Sequence, residues 1–125
     1  MIELQDVTVR FGEREILRGV DLTVAAGETL VILGASGSGK STILRVLIGL
    51  VKPTSGRVLI DGVDVTDYSE RQWNEVRRHM GYVFQYSALF DSMTVGENVA
   101  FGLVRQNELN KDEIAAHVRE RLQLV

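Results

Sequence analysis

The apolar positions change period several times along the chain. Ile2, Leu4, Val7 and Val9 form an imperfect alternation that ends at Phe11-Gly12. Ile16, Leu17, Val20, Leu22 and Val24 form a second one, with a slip at Arg18-Gly19. Successive side chains of a strand point to opposite faces, so both runs predict antiparallel strands with one solvated face. Ala26-Gly27-Glu28 predicts a turn. Residues 29–33 are a short continuous apolar run, the pattern of a strand buried on both faces. A Gly/Ser-rich loop follows over 34–39, and then a helix to about Leu50. Its Ile43, Leu44, Val46, Leu47, Ile48 and Leu50 cover most of the circumference, which predicts burial all round. Gly49 and Pro53 mark its exit.

Residues 57–60 read as another strand, bounded by Ser55-Gly56 and Asp61-Gly62. Three polar residues stand three positions ahead of a Glu or Gln: Ser69 with Gln72, Thr94 with Glu97, and Asn110 with Glu113. That spacing lets side chains satisfy the free N–H groups of a first helical turn, and it predicts three helix starts. The first of these helices runs through Trp73, Val76 and Arg77. The last carries Ile114, Val118, Leu122 and Val125 near one face. Residues 81–85 predict a further short strand. No repeat, linker or low-complexity tract interrupts the chain. It ends inside a helical pattern without a cap, which reads as a cut.

Composition narrows the classes. The 125 residues suit one modest domain, and 45% hydrophobic with 25% charged residues is a globular balance. A net charge of -3 counts against a nucleic-acid partner, and no basic run opposes that reading. The absence of cysteine excludes a disulfide scaffold and a thiolate metal site. The longest apolar stretch, 42–51, is broken by Arg45 and is too short to span a bilayer. Glu3 and Asp6 stand where a signal peptide would need basic residues.

The chemistry concentrates in Gly34-Ala35-Ser36-Gly37-Ser38-Gly39-Lys40-Ser41. This matches the phosphate-loop pattern G-x-x-x-x-G-K-S/T in its required context, after a buried strand and before a helix. Backbone N–H groups surround a triphosphate only where the chain bends tightly and no side chain intrudes, which Gly34, Gly37 and Gly39 allow. The helix behind the loop aims its N-terminal donors and dipole at the anion. Lys40 brings a full charge to the β- and γ-phosphates, and Ser41 a hydroxyl for Mg²⁺.

Three more segments accompany the loop. They are Val9-Arg10-Phe11-Gly12, Gly81-Tyr82-Val83-Phe84-Gln85, and the run from Pro53 through Ser55-Gly56-Arg57-Val58-Leu59-Ile60 to Asp61-Gly62. In order and interval the whole chain resembles the ATP-binding-cassette (ABC) ATPases. The resemblance implies an α/β P-loop NTPase fold: an ABC-type core with an N-terminal antiparallel β segment and the start of the helical subdomain, truncated. Residues 1–86 would be the core and 87–125 the helical part. It implies ATP and Mg²⁺ as ligands, with Ser36, Gly37, Ser38, Gly39, Lys40, Ser41 and Thr42 about the phosphates. Phe11 falls where the family stacks an aromatic on adenine; a core phenylalanine ending a strand is the alternative. Gln85 falls at the family's Q-loop, near Mg²⁺ and the attacking water, where Lys40 and Gln85 would serve catalysis. Two readings of Leu89, Phe90 and Met93 stay open: they line a groove for a transmembrane permease subunit, or they pack the small subdomain. Within the family, the run Ala88-Leu89-Phe90-Asp91-Ser92-Met93-Thr94-Val95-Gly96-Glu97-Asn98-Val99-Ala100-Phe101 is most similar to ATPases of Mce/Mla-type lipid transporters.

The resemblance also implies a second ATPase subunit in a head-to-tail dimer and a cytoplasmic, peripheral place on the inner face of a membrane. No LSGGQ-like signature, Walker B run or switch histidine is found. His79 and His117 stand in the wrong places and read as surface or helix residues. Asp112-Glu113 follows Lys111 rather than an apolar strand and reads as a helix cap. The rival readings are an ABC protein acting away from membranes, a nucleotide-binding fragment without catalysis, and another P-loop enzyme such as a kinase or GTPase. The two antiparallel strands ahead of the loop, and the lack of an N-K-x-D motif, count against the last.

Overall fold

A computed structural model describes residues 1–86, 88–106 and 108–125. The chain forms two compact units, Met1–Gly81 and Tyr82–Val125.

The first unit is built on a four-stranded antiparallel sheet. Strands β1 (Ile2–Phe11), β2 (Arg14–Val24), β3 (Ser55–Ile60) and β4 (Val63–Asp64) lie in the order β2-β1-β3-β4. β1 is one of the two inner strands, and it buries Leu4, Val7 and Val9. The spacing from Leu4 to Val7 breaks strict alternation because β1 carries a bulge there: Leu4 pairs with Leu22 and Val7 with Val20. Asp6 sits in the bulge with φ 50°. Two glycines make room for it. A β-carbon on Gly19 would lie 2.7 Å from Asp6 Oδ1, and one on Gly56 would lie 2.3 Å from the Asp6 carbonyl oxygen. The slip at Arg18-Gly19 is the matching irregularity in β2, where Val7 pairs with Val20 but Val9 with Leu17. β3 and β4 join through Asp61-Gly62, both at positive φ, as a two-residue hairpin turn requires.

Helices α1 (Lys40–Leu47) and α2 (Glu70–Arg77) complete this unit. Val46 and Trp73 join Leu4, Val7, Val9, Leu17, Val58 and Val65 in its core. Each fully buried side chain of this size contributes about 1.5–3 kcal/mol. The helix expected to reach about Leu50 stops at Leu47. Gly49 takes φ 69°, its N–H donates to Val46 O and that of Leu50 to Arg45 O, which closes the last turn. Burial all round is also corrected: Leu44 and Leu50 are exposed, and α1 buries only its Val46 face. α2 begins as expected at Ser69, whose box with Gln72 is formed on both sides.

Residues 29–33 and 81–85 form no ladder strand. A β-segment satisfies its backbone only beside another strand, and none of the described residues pairs with either segment. Val31, Leu33 and Val83 are accordingly exposed.

The second unit packs α3 (Val95–Gln106) against α4 (Lys111–Gln123). Both remaining boxes are present. Thr94 N–H donates to Glu97 Oε2 at 2.7 Å, and Asn110 N–H donates to Glu113 Oε2 at 2.8 Å. Glu113 is thus a capping residue, as Asp112-Glu113 suggested. Asn98 fastens the loop ahead of α3 by donating to the carbonyls of Phe90, Met93 and Thr94. Ile114 and Val118 are half-buried, whereas Leu122 is exposed and Val125 lies beyond the helix. His79 and His117 are both exposed.

Candidate nucleotide-binding site

The loop and β2 meet at Gly39. A β-carbon on Gly39 would lie 2.8 Å from Leu17 Cδ2 and 3.3 Å from Ile16 O, so the loop rests directly on the strand. Gly39 is buried and has φ 98°, a conformation glycine adopts without strain. A β-carbon on Gly34 would meet Ser38 Oγ at 2.7 Å. Gly37, at φ 79°, needs glycine for its backbone alone, since no atom lies within 4 Å of a β-carbon there.

Lys40 is half-buried and folds back over the loop. Its Nζ donates to Gly34 O at 2.8 Å and Ala35 O at 2.7 Å, and it approaches Ser38 Oγ at 3.5 Å. α1 starts with no side-chain cap and no acidic residue in its first turn. The other three helices each begin with a capping box. The first N–H groups of α1 therefore depend on a partner from outside its own side chains.

A cleft of about 270 Å³ opens in front of these groups, lined by Gly37, Ser38, Gly39, Lys40, Ser41 and Thr42 together with Phe11, Arg14 and Ile16. Phe11 is 55% exposed, so it is no core residue. Its ring, the loop and the first turn of α1 share one concavity. Gly34 and Ser36 lie in the same loop without lining that cleft. Arg14 and Ile16 were not marked out as site residues in the sequence. They enter because β2 runs past the loop, and an arginine two residues after a turn glycine carries no signal of that. Gln85 is exposed in the second unit, in the segment that precedes Ser87, which lies outside the described residues.

The donor set suits a phosphate chain beside a flat apolar ring: unpaired N–H groups, a primary ammonium and hydroxyls at one end, an aromatic face at the other. Among the described residues no cluster of three or more His, Cys, Asp or Glu could hold a metal. Mg²⁺ does not require one, because it takes one or two protein oxygens and completes its shell with phosphates and water. The Ser41 hydroxyl is such an oxygen. No helix among the described residues is long and apolar enough to cross a membrane.

A glycine loop closed onto an uncapped helix, beside an antiparallel ribbon, defines the P-loop NTPase fold in its ABC-cassette form. The sequence matches the family described as ABC transporter over residues 17–125, and the chain belongs to that family. It is 44% identical over 124 residues to the sulfate/thiosulfate import ATP-binding protein CysA of Synechococcus elongatus, covering 99% of this chain and 34% of that protein. It is 44% identical over 125 residues to the spermidine/putrescine import ATP-binding protein PotA of Pasteurella multocida, covering 100% of this chain and 32% of that one. Among solved structures it resembles the dimeric, post-hydrolysis ATP-binding cassette MJ0796 bound to ADP and Pi. There the TM-score is 0.87 with 35% identity, over 98% of this chain and 56% of the other. The chain thus spans about a third of the length of these curated relatives.

Proposed function

We propose that this chain is the nucleotide-binding part of an ABC transporter's ATPase subunit, in which ATP binding and hydrolysis drive transport. The observation that carries the reading is the single cleft shared by Phe11, the loop glycines, Lys40, Ser41 and Thr42. In this reading adenine stacks on the Phe11 ring. The loop N–H groups, with Ser36 and Ser38, surround the phosphates. Lys40 leaves the carbonyls of Gly34 and Ala35 for the β- and γ-oxygens, exchanging neutral acceptors for charged ones. Ser41 would offer its hydroxyl to Mg²⁺, and Gln85 would offer its amide to the metal and the attacking water. Mg²⁺ would neutralise charge developing on the phosphates. Residues 1–86 serve as core and 87–125 as the start of the helical subdomain.

Transport requires partners. The second unit has an apolar concavity of about 480 Å³ lined by Leu89, Phe90, Met93, Val95 and Val99, and it suits a helix offered by a permease subunit. A second ATPase subunit would complete the site head-to-tail, as the dimeric relative suggests. In this reading the protein works peripherally on the cytoplasmic side of a membrane. For cargo, the likeness of residues 88–101 to Mce/Mla-type ATPases favours a phospholipid or another hydrophobic substrate. CysA and PotA carry names that speak of sulfate and of polyamines, so cargo is the part to test by reconstitution with each class.

Calorimetric titration of Mg·ATP decides the nucleotide reading. Lys40→Ala should weaken binding by roughly 10- to 100-fold, the value of one or two hydrogen bonds to a charged group. Equal affinity in the two proteins would remove Lys40 and the loop from the site.

A further inference from the structure

Two cationic side chains line the nucleotide cleft, Lys40 and Arg14. Lys40 stands at the loop end. Arg14 opens β2 and lies directly across the ladder from Phe11, the last residue of β1. Residues so opposed hold their Cβ atoms about 4.5–5.5 Å apart on one face of the ribbon. The arginine and the phenylalanine therefore line the cleft side by side, in the same concavity as the loop and the first turn of α1. The neighbouring Glu15 is engaged elsewhere: it accepts from Arg10 Nε at 2.7 Å and lies 3.5 Å from Arg18 Nε. Arg14 forms no ion pair with another described residue.

An exposed arginine at a ribbon end is ordinarily a solvated charge. Here its position is set by the aromatic rung beside it and by the loop that Gly39 seats against Ile16 and Leu17. A nucleoside triphosphate runs base, ribose, then α-, β- and γ-phosphate. With the base on Phe11 and the terminal phosphates at the loop, the α-phosphate falls between, beside Arg14. Arginine presents planar paired donors that match two phosphate oxygens and is charged at every working pH. We propose that Arg14 is a further nucleotide-binding residue and that it holds the α-phosphate. The proposal rests on the nucleotide reading of the cleft.

The test uses the full chain with ATP and with the Rp and Sp diastereomers of ATPαS, which differ only in the placement of sulfur on the α-phosphate. A fork that grips particular α-oxygens makes the unaltered protein prefer one diastereomer. Arg14→Ala should weaken ATP about tenfold, as loss of a charge-assisted contact does, and should reduce the diastereomer preference to less than about twofold. Arg14→Lys, which keeps charge without the fork, should restore most of the affinity and little of the preference. Phe11→Ala should weaken all three ligands alike and leave the preference intact. Unchanged ATP affinity in Arg14→Ala overturns the proposal. So does a uniform loss with the preference retained, which would put Arg14 on the base. So does an unaltered protein indifferent to the two diastereomers. If the unaltered protein binds no ATP at all, the reading of the cleft fails first, and this proposal with it.

Discussion

The indole of Trp73 rests directly on Gly49: a β-carbon there would lie 2.2 Å from Cδ2 and 2.3 Å from Cε2. Gly49 closes the helix that the phosphate loop opens, and Trp73 is the buried residue of α2. The end of the loop's helix is thus pinned by a contact that tolerates no side chain.

Gly49→Ala should therefore destabilise the protein by about 2–5 kcal/mol. Left-handed backbone at a residue with a β-carbon costs about 1–2 kcal/mol, and overpacking adds about 1–3. Urea unfolding followed by Trp73 fluorescence measures it. A loss under about 1 kcal/mol would mean that the indole has somewhere else to go.

Arg77 should prove a stabilising residue in spite of its charge. Its Nε donates to Ile48 O at 2.8 Å and a terminal nitrogen donates to Gly49 O at 3.0 Å, so it covers the carbonyl end of α1. Its guanidinium carbon also lies 5.7 Å from the centre of the Trp73 ring. Arg77→Ala should cost about 1–3 kcal/mol, since two half-buried acceptors lose charged donors. Lysine should rescue little, lacking the fork. Glu70, whose side chain is 76% exposed, pairs with the same arginine, and Glu70→Gln should change unfolding far less. Equal effects of the two substitutions would shift the weight from the helix end to the ion pair.

The start of α3 should loosen in acid. The Thr94 N–H, and then the Thr94 hydroxyl, hold the Glu97 carboxyl below the usual glutamate range. A folded-state value below the unfolded one stabilises the fold at pH above the unfolded value of about 4.3, and that contribution disappears as pH falls through the lower folded value. Amide exchange at Thr94 and Glu97 should therefore lose protection below about pH 4, beyond the intrinsic pH dependence of exchange. Glu97→Gln should flatten that additional dependence. A Glu97 carboxyl that titrates at the ordinary value would contradict the box.

What the sequence disclosed divides along physical lines. Capping boxes are local, and all three stand where Ser69, Thr94 and Asn110 placed them. The β1–β2 ribbon was visible, slip included, because adjacent strands need only a short turn. The phosphate loop was visible because its glycines answer to local backbone geometry. Residues 29–33 and 81–85 went otherwise, since an apolar run becomes a strand only beside a neighbour, which its own pattern does not specify. The circumference of α1 misled for the same reason: Leu44 and Leu50 are apolar but have no cover among the described residues. Arg14 was hidden for a different reason. Its pairing with Phe11 is local, but its place in the cleft follows from the seating of Gly39 on β2, which is tertiary.

The bulge at Asp6 makes β1 a strand with two numbering frames. Up to Leu4 the even residues face inward; from Val7 the odd ones do. Val7, Val9 and Phe11 all belong to the second frame, so the aromatic of the cleft inherits its side of the sheet from a residue five positions away. Gly19 and Gly56 act as the guards of that frame shift, one on each flanking strand. Removing one residue at Asp6 would take away the bulge and the frame shift together, leaving Val7, Val9 and Phe11 on their present side in one unbroken alternation. Straightening the strand with Asp6 retained would instead turn two core valines toward water and carry Phe11 to the far side of the ribbon, while every residue of the phosphate loop stayed in place.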